Sequence, residues 1–449
     1  MKKKLEFIKK LVIIAFPIVL AQLFLNIASL LDTMMVGQLD EQSISGVYIA
    51  TQIIFVVNLM IFGSIEGASV YFCQFFGKND IINLKKTFKF KIYASLIISF
   101  IATLGVLLFG RGLSSLFTND AAAIEISVSY LNILATSFIP FALTVCITSS
   151  MRESHHTISP MIITLVGVFI NFTVNYICIF GKFGVPQLGG VGAAIGTVTE
   201  RFIELIVLLI IISIKKYDFN SDFFKSFKIE KNLLVSMIKK SIPLLLNETM
   251  WVLSQTVLVY VFSQTSEIST VVLPISSTIF NLIFVVCLGI GNGISILLGN
   301  TVGKNEFEEA QKEAYTALSF STITGIVLGT ILCVIAPFVT SLYKGVSLEA
   351  RELAEILIIY HGIYLLICSL NNAVFFILRA GGRTSLVLIF DSCFGWGIQI
   401  PFAFLLLYVF KLEFIPLVIT AYSIEIIKTI VGFILIFSKK WYRNLTIGH

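Results

Sequence analysis

The residues that could do chemistry in this chain are few, and they sit in unusual places. Nine ionisable side chains fall inside long apolar runs: Asp32, Glu66, Glu200, Arg201, Glu204, Glu248, Asp391, Glu425 and Lys428. A charge in such a run is costly, which makes it a functional candidate before anything else is known. Asp32 follows Gln22, Asn26 and Ser29, precedes Thr33, and has no basic residue within helical reach. A carboxylate so placed takes up a proton or holds a cation, and either suits ion coupling. The structural alternative is an acid near an interface that simply reaches water.

The other polar residues form small groups. Glu248, Trp251 and Gln255 share one helix face at i, i+3 and i+7. An anion, an indole and an amide there could hold an organic cation by charge and cation–π attraction. Alternatively, Trp251 belongs to an interfacial belt and Glu248 pairs locally. Asn171 and Asn175 are four apart, and Thr197 follows the Gly-rich stretch GGVGAAIG. Their neutral oxygens could replace the water of a monovalent cation, or could make hydrogen bonds between helices. Arg201–Glu204 and Glu425–Lys428 are i,i+3 pairs of opposite sign, which reads as structural pairing, with Glu200 beside the first. Glu66 lies between Gly63 and Gly67, as Asn292 lies between Gly289 and Gly293, a pattern of close helix contact. Asp391 has Trp396 and Gln399 nearby.

Enzyme chemistry finds no support in these groups. The seven cysteines all fall in apolar stretches without CxxC spacing, which suggests small hydrophobes and not ligands. His155 and His156 are adjacent and cannot share a helix face. There is no GxxxxGK[ST] for a nucleotide phosphate. No enzyme activity, resident metal or cofactor is expected beyond a coupling ion at Asp32.

The elements that must position these residues are membrane helices. The 449 residues are 57% hydrophobic and 13% charged, so the bilayer is the expected solvent. The net charge of +6 is too mild to imply nucleic acid. Twelve apolar segments are long enough to span, since a span needs about 20 residues. They lie near 9–36, 44–72, 89–111, 123–149, 159–181, 190–214, 237–263, 269–298, 314–342, 352–378, 385–409 and 414–438. The opening MKKKLEFIKK and its apolar run carry no small-residue cleavage pattern, so a retained first helix is expected.

The chain also repeats itself. Gly63, Gly67, Ser69, Gly77, Lys78 and Asn79 recur 226 residues later as Gly289, Gly293, Ser295, Gly303, Lys304 and Asn305, and Pro17 matches Pro243. The expected organisation is an N-terminal six-helix lobe (1–214), a polar connector (215–236) and a C-terminal six-helix lobe with a short tail (237–449). Six spans return the chain to its starting side, so the lobes should be related by a pseudo-twofold axis along the membrane normal. Of the 32 Lys and Arg, 25 fall on the side of the termini and connector and five on the other, with Arg201 and Lys428 inside spans. That asymmetry predicts cytoplasmic termini in a plasma-membrane protein.

With these residues in view the chain resembles the multidrug and toxic compound extrusion (MATE) family along essentially its whole length. The carrying stretches include FPIVLAQLFLNIASLLDTMMVGQL at 16–39, GSIEGASVYFCQFFGKND at 63–80, IPLLLNETMWVLSQT at 242–256 and LRAGGRTSLVLIFDSCFGWGIQIP at 378–401. The resemblance implies an all-α fold of twelve helices in two lobes. It also implies antiport: efflux of varied, often cationic and lipophilic compounds against inward Na⁺ or H⁺. The family's first-helix carboxylate maps to Asp32, its fifth-helix polar pair to Asn171 and Asn175, its sixth-helix threonine to Thr197 and its seventh-helix glutamate to Glu248. The second fifth-helix position is commonly Asp and is Asn175 here, which removes one proton acceptor and tilts the expectation toward Na⁺. Asp391 lies one helix later than the family's C-lobe aspartate. A flippase for lipid-linked precursors, from the same superfamily, is the alternative; intramembrane acids outnumber bases seven to two, which favours cationic cargo. Small organic substrates and the bilayer are the expected partners of a monomer.

Overall fold

The structure, a computed structural model, describes residues 2–220 and 229–447, so residues 221–228 of the expected connector lie outside the described residues. Among the described residues every regular element is a helix. The first half holds α1 (Lys2–Val36), α2 (Glu41–Lys78), α3 (Ile81–Ser115), α4 (Ala121–Ala135), α5 (Phe138–Glu153), α6 (Ile158–Phe180) and α7 (Gly190–Lys215). The second holds α8 (Lys231–Ser263), α9 (Ser269–Gly303), α10 (Phe307–Ser341) and α11 (Leu348–Ala380). It continues through α12 (Thr384–Leu388), π-helical turns at Ile389–Cys393 and Gly395–Gln399, α13 (Ile400–Tyr408), α14 (Phe414–Ser423) and α15 (Glu425–Phe437). Helices satisfy their own backbone groups, which lipid cannot do.

Ten helical stretches among the described residues are long and apolar enough to cross a bilayer, and α4 with α5 makes an eleventh. The remaining expected span, the sixth, is α7, whose 26 residues suffice in length, although it carries the three charges Glu200, Arg201 and Glu204. The sequence suggests an unbroken fourth span, but the structure bends it by 51° between α4 and α5. Pro140 supplies the reason: it has no N–H for the carbonyl of Thr136, so the ladder fails where the bend falls. Lipid-facing helix surfaces stay apolar, as Leu104, Leu107, Leu108 and Phe109 of α3 show by their exposure.

The internal repeat has a structural meaning at both ends of its signature. The Gly-Lys-Asn motifs end helices: α2 stops at Lys78 with Asn79 left-handed at φ 59°, and α9 stops at Gly303 with Asn305 left-handed at φ 64°. Asn tolerates that conformation better than most side chains. The glycine pairs receive another helix. The chain divides into two compact units, one of Leu20–Leu245 and one combining the chain up to Val19 with that from Leu246. In the first unit Gly63 and Gly67 of α2 lie directly against Leu245 and Ser241 of α8. In the second, Gly289 and Gly293 of α9 lie against Val19 and against Leu11 and Ala15 of α1. Val19 and Leu245, like Ala15 and Ser241, are themselves 226 residues apart. Each repeat's glycine pair thus accommodates the opening segment of the other repeat's first helix, at matching positions, with no room for a Cβ.

Candidate functional site

In the unit Leu20–Leu245, three helices bring the sequence-predicted polar residues together. Asn171 and Asn175 are one turn apart on α6 and both are buried. The Asn175 amide donates through Nδ2 to Asp32 Oδ1 at 2.7 Å and to Asn171 Oδ1 at 3.0 Å. Asn171 Nδ2 reaches Thr197 Oγ1 of α7 at 3.4 Å. Asp32, Asn171, Asn175 and Thr197 therefore form one connected cluster around a half-buried carboxylate. Close approach of α6 and α7 makes this possible. A Cβ on Gly192 would meet the backbone of Cys178 at 2.7 Å, and one on Gly196 would collide with Asn175 Oδ1. That Oδ1 is buried and has no hydrogen-bond partner among the described residues. Carboxamide hydrogens now face the Asp32 carboxylate, the polarity that a bare anion requires. A half-turn of the Asn175 amide would instead present oxygen, which is the donor set of a monovalent metal ion.

The charged residues of α7 do not pair as their spacing suggested. Arg201 donates to Ser137 Oγ at 3.2 Å and lies over the Phe141 ring at 4.2 Å, with Asn58 Oδ1 at 3.5 Å. Among the described residues no ion pair joins it to Glu204. Glu204 instead rests on Gly167 of α6, and Glu200 is half-buried. Tyr130 of α4, buried near Asp32 and Thr197, joins the cluster without having been singled out by sequence. Lys91, one of the 25 basic residues assigned by sequence to the side of the termini, is fully buried inside α3 and bonds Glu153 at 2.9 Å and Ser150 at 3.1 Å. Its place inside the third apolar run was the available signal.

The unit containing residues from Leu246 onward holds a second polar network. Lys428 of α15 pairs at 2.5 Å with Asp391, not with Glu425 as the i,i+3 spacing suggested. The π-helical turn swings Asp391 toward α15, where it also accepts from Asn247 Nδ2 at 3.1 Å. Glu425 accepts from Asn371 at 3.2 Å and Gln399 at 3.4 Å. On α8, Trp251 is exposed, while Glu248 and Gln255 are half-buried. Glu66 of α2 is half-buried between its two glycines. The aromatic residues that do cluster lie elsewhere: Phe280, Tyr360, His361, Tyr364 and Tyr422 interlock around the buried His361 ring. The spacing of Tyr360, His361 and Tyr364 on α11 carries that signal in the sequence.

Outside the spans, His156 packs edge-on against Tyr217 at 4.7 Å. Its burial, and then the charge of Lys215, lower its imidazole below the ordinary value.

The geometry agrees with what comparison with other proteins finds. The MatE family model matches residues 17–177 and again 243–405, which reproduces the repeat. A probable multidrug resistance protein NorM of Oceanobacillus iheyensis is 27% identical over 417 residues, covering 89% of each chain. The uncharacterized transporter YisQ of Bacillus subtilis is 25% identical over 388 residues, covering 83% of this chain and 82% of that one. Among solved structures, a MATE crystal structure in the straight conformation superposes with a TM-score of 0.88 at 16% identity, covering 96% of both chains. An outward-facing multidrug resistance MATE family transporter of the MOP superfamily gives 0.85 over the same shares. At such identities the solved structures speak for the fold alone, but the doubled family match covers most of the sequence. This chain belongs to the MatE family and is a multi-pass membrane transporter with the MATE fold.

Proposed function

We propose that the protein is a secondary active antiporter that exports organic, cationic and lipophilic compounds from the cell in exchange for Na⁺ or H⁺. The observation that carries the reading is the Asp32 cluster: a half-buried carboxylate hydrogen-bonded to the neutral Asn175, whose network continues through the neutral Asn171 and Thr197. A carboxylate with neutral partners leaves one negative charge in the bilayer, and one monovalent cation removes it. The neutral oxygen-bearing groups Asn171, Asn175 and Thr197 favour Na⁺, since a metal ion needs oxygens to replace its water and a proton does not. Multidrug resistance in the names of several relatives supports efflux as the direction of transport. Glu248, with Trp251 and Gln255, is the part of α8 best suited to hold a cationic substrate. The excess of basic residues on one side supports cytoplasmic termini in the plasma membrane.

The test is efflux of a fluorescent organic cation from vesicles loaded with it, under an imposed Na⁺ gradient and, separately, an imposed pH gradient. Antiport requires that one of the two drives export above the leak rate. Equal rates with and without both gradients would exclude secondary active antiport.

A further inference from the structure

The unit Leu20–Leu245 holds a cation that the Asp32 cluster does not use. Arg201 lies near the middle of α7, 7% exposed, inside an apolar span. A guanidinium keeps its proton, so a charge there is costly. Its contacts are nevertheless all neutral. It donates to Ser137 Oγ at 3.2 Å and reaches Asn58 Oδ1 at 3.5 Å. Its guanidinium carbon lies over the Phe141 ring at 4.2 Å, and that ring is braced edge-on by Phe62 at 5.8 Å. No ion pair reaches Arg201 among the described residues.

Arg201 stands one helical turn from Thr197, a member of the Asp32 cluster, on the same side of α7. Tyr130 of α4 is buried within reach of Asp32, Thr197 and Arg201 alike. Two further acids complete the surroundings. Glu200 lies toward Asp32 and Asn171, and Glu204 is turned onto Gly167 of α6. Both act on Arg201 electrostatically, but among the described residues neither pairs with it. Phe141 and Ser137 hold the guanidinium away from its neighbouring acids, so its field is spread over the cluster and not spent on one partner. Three carboxylates, Asp32, Glu200 and Glu204, share one fixed cation. Without it they would hold a monovalent cation more firmly.

We infer that Arg201 opposes the coupling cation: it is a fixed positive charge that weakens cation binding at Asp32 and so speeds release of the ion. It is a positioning residue, acting through Asp32 and not by contact with the ion or the cargo. Its purpose rests on the antiport reading; its effect on cation affinity does not. At about 10 Å and an effective dielectric of about 20, a unit charge changes a binding constant about tenfold. The sign separates this role from a structural one. Loss of a scaffold weakens binding, whereas loss of an opposing charge tightens it.

The test measures cation binding to the purified full-length protein in detergent. One arm titrates ²²Na⁺ at equilibrium, and the other follows proton uptake by potentiometric titration in Na⁺-free buffer. In each arm, Asp32-dependent binding is the difference between a protein and the same protein carrying Asp32→Asn. Arg201→Gln should bind its cation about tenfold more tightly than wild type, and Arg201→Lys should keep the wild-type affinity. In vesicles, Arg201→Gln should lower both the ion concentration for half-maximal export and the maximal rate. Unchanged or weaker Asp32-dependent binding in Arg201→Gln would overturn the inference, as would equal tightening in Arg201→Lys. If Arg201→Gln binds more tightly while no gradient drives export by wild type, the inference stands and the antiport reading falls. If wild type shows no Asp32-dependent binding of either ion, both fall. Should Arg201→Gln fail to fold, Arg201→Met keeps an apolar stem on the Phe141 ring and is expected to show the same tightening. Its absence in that variant would equally overturn the inference.

Discussion

Gly196 is the smallest perturbation that reaches the Asp32 cluster. It touches neither ion nor substrate, yet a methyl group there would occupy the position of Asn175 Oδ1. In Gly196→Ala the Asn175 side chain must leave its rotamer, and the site loses the carboxamide oxygen that the proposed Na⁺ would take as a ligand. A contact of that kind with a charged group contributes about 1.5–3 kcal/mol. At about 1.4 kcal/mol per tenfold, the ion concentration for half-maximal efflux should rise about 10- to 100-fold. The overpacking itself costs about 1–3 kcal/mol of stability, so expression and thermal unfolding are measured alongside. The decisive assay is a double-mutant cycle on ion-driven efflux. Gly196→Ala with Asn175→Ala should be no worse than Asn175→Ala alone, because the group that collides is gone. Additive losses, or wild-type ion dependence in Gly196→Ala, would refute the claim that Asn175 holds Asp32 for the ion.

Three further outcomes follow from the structure. Lys428→Met should destabilise the protein by about 3–5 kcal/mol by leaving Asp391 buried without its ammonium, and Asp391→Asn in the same chain should restore much of the loss in a thermal-unfolding assay. Gly67→Ala should lower the unfolding temperature more than Gly293→Ala, because the first methyl meets the Ser241 backbone while the second meets the end of the flexible Leu11 side chain at 2.9 Å. His156 is held below its ordinary pKa, so its contribution to stability is complete above the unfolded-state value of about 6.5 and is lost as pH falls through the folded one; His156→Phe keeps the ring on Tyr217 and should reduce the drop in unfolding temperature between pH 7 and pH 5.

Much of this architecture was legible in the residues. Apolar run length marks helices because lipid leaves no alternative, and the 226-residue repeat showed that the chain has two equivalent halves. The Gly63–Gly67 pattern announced a close contact, but its partner could not be read, because glycine spacing says that a helix approaches and not which one. The same limit applies to the ion pairs. Positions i and i+3 place Lys428 beside Glu425, yet the π-helical turn brings Asp391 closer, and no side-chain spacing announces that turn. The pairing of Asn171 with Asn175 was readable from helical spacing. Its junction with Thr197 and Asp32 was carried by family resemblance and not by periodicity, since no local rule links residues on different helices. The break at Thr136 had a visible cause in Pro140, although a proline in an apolar run bends some helices and is absorbed by others.

The most direct test of the account is the charge of Asp32 itself. Asp32→Asn preserves size and hydrogen bonding but removes the negative charge. In vesicles bearing equal amounts of wild-type and variant protein, gradient-driven export of a fluorescent organic cation is compared under imposed Na⁺ and pH gradients. The account predicts that the variant folds, reaches the membrane and loses nearly all gradient-driven export. Export at the wild-type rate, under the same gradient, would contradict it.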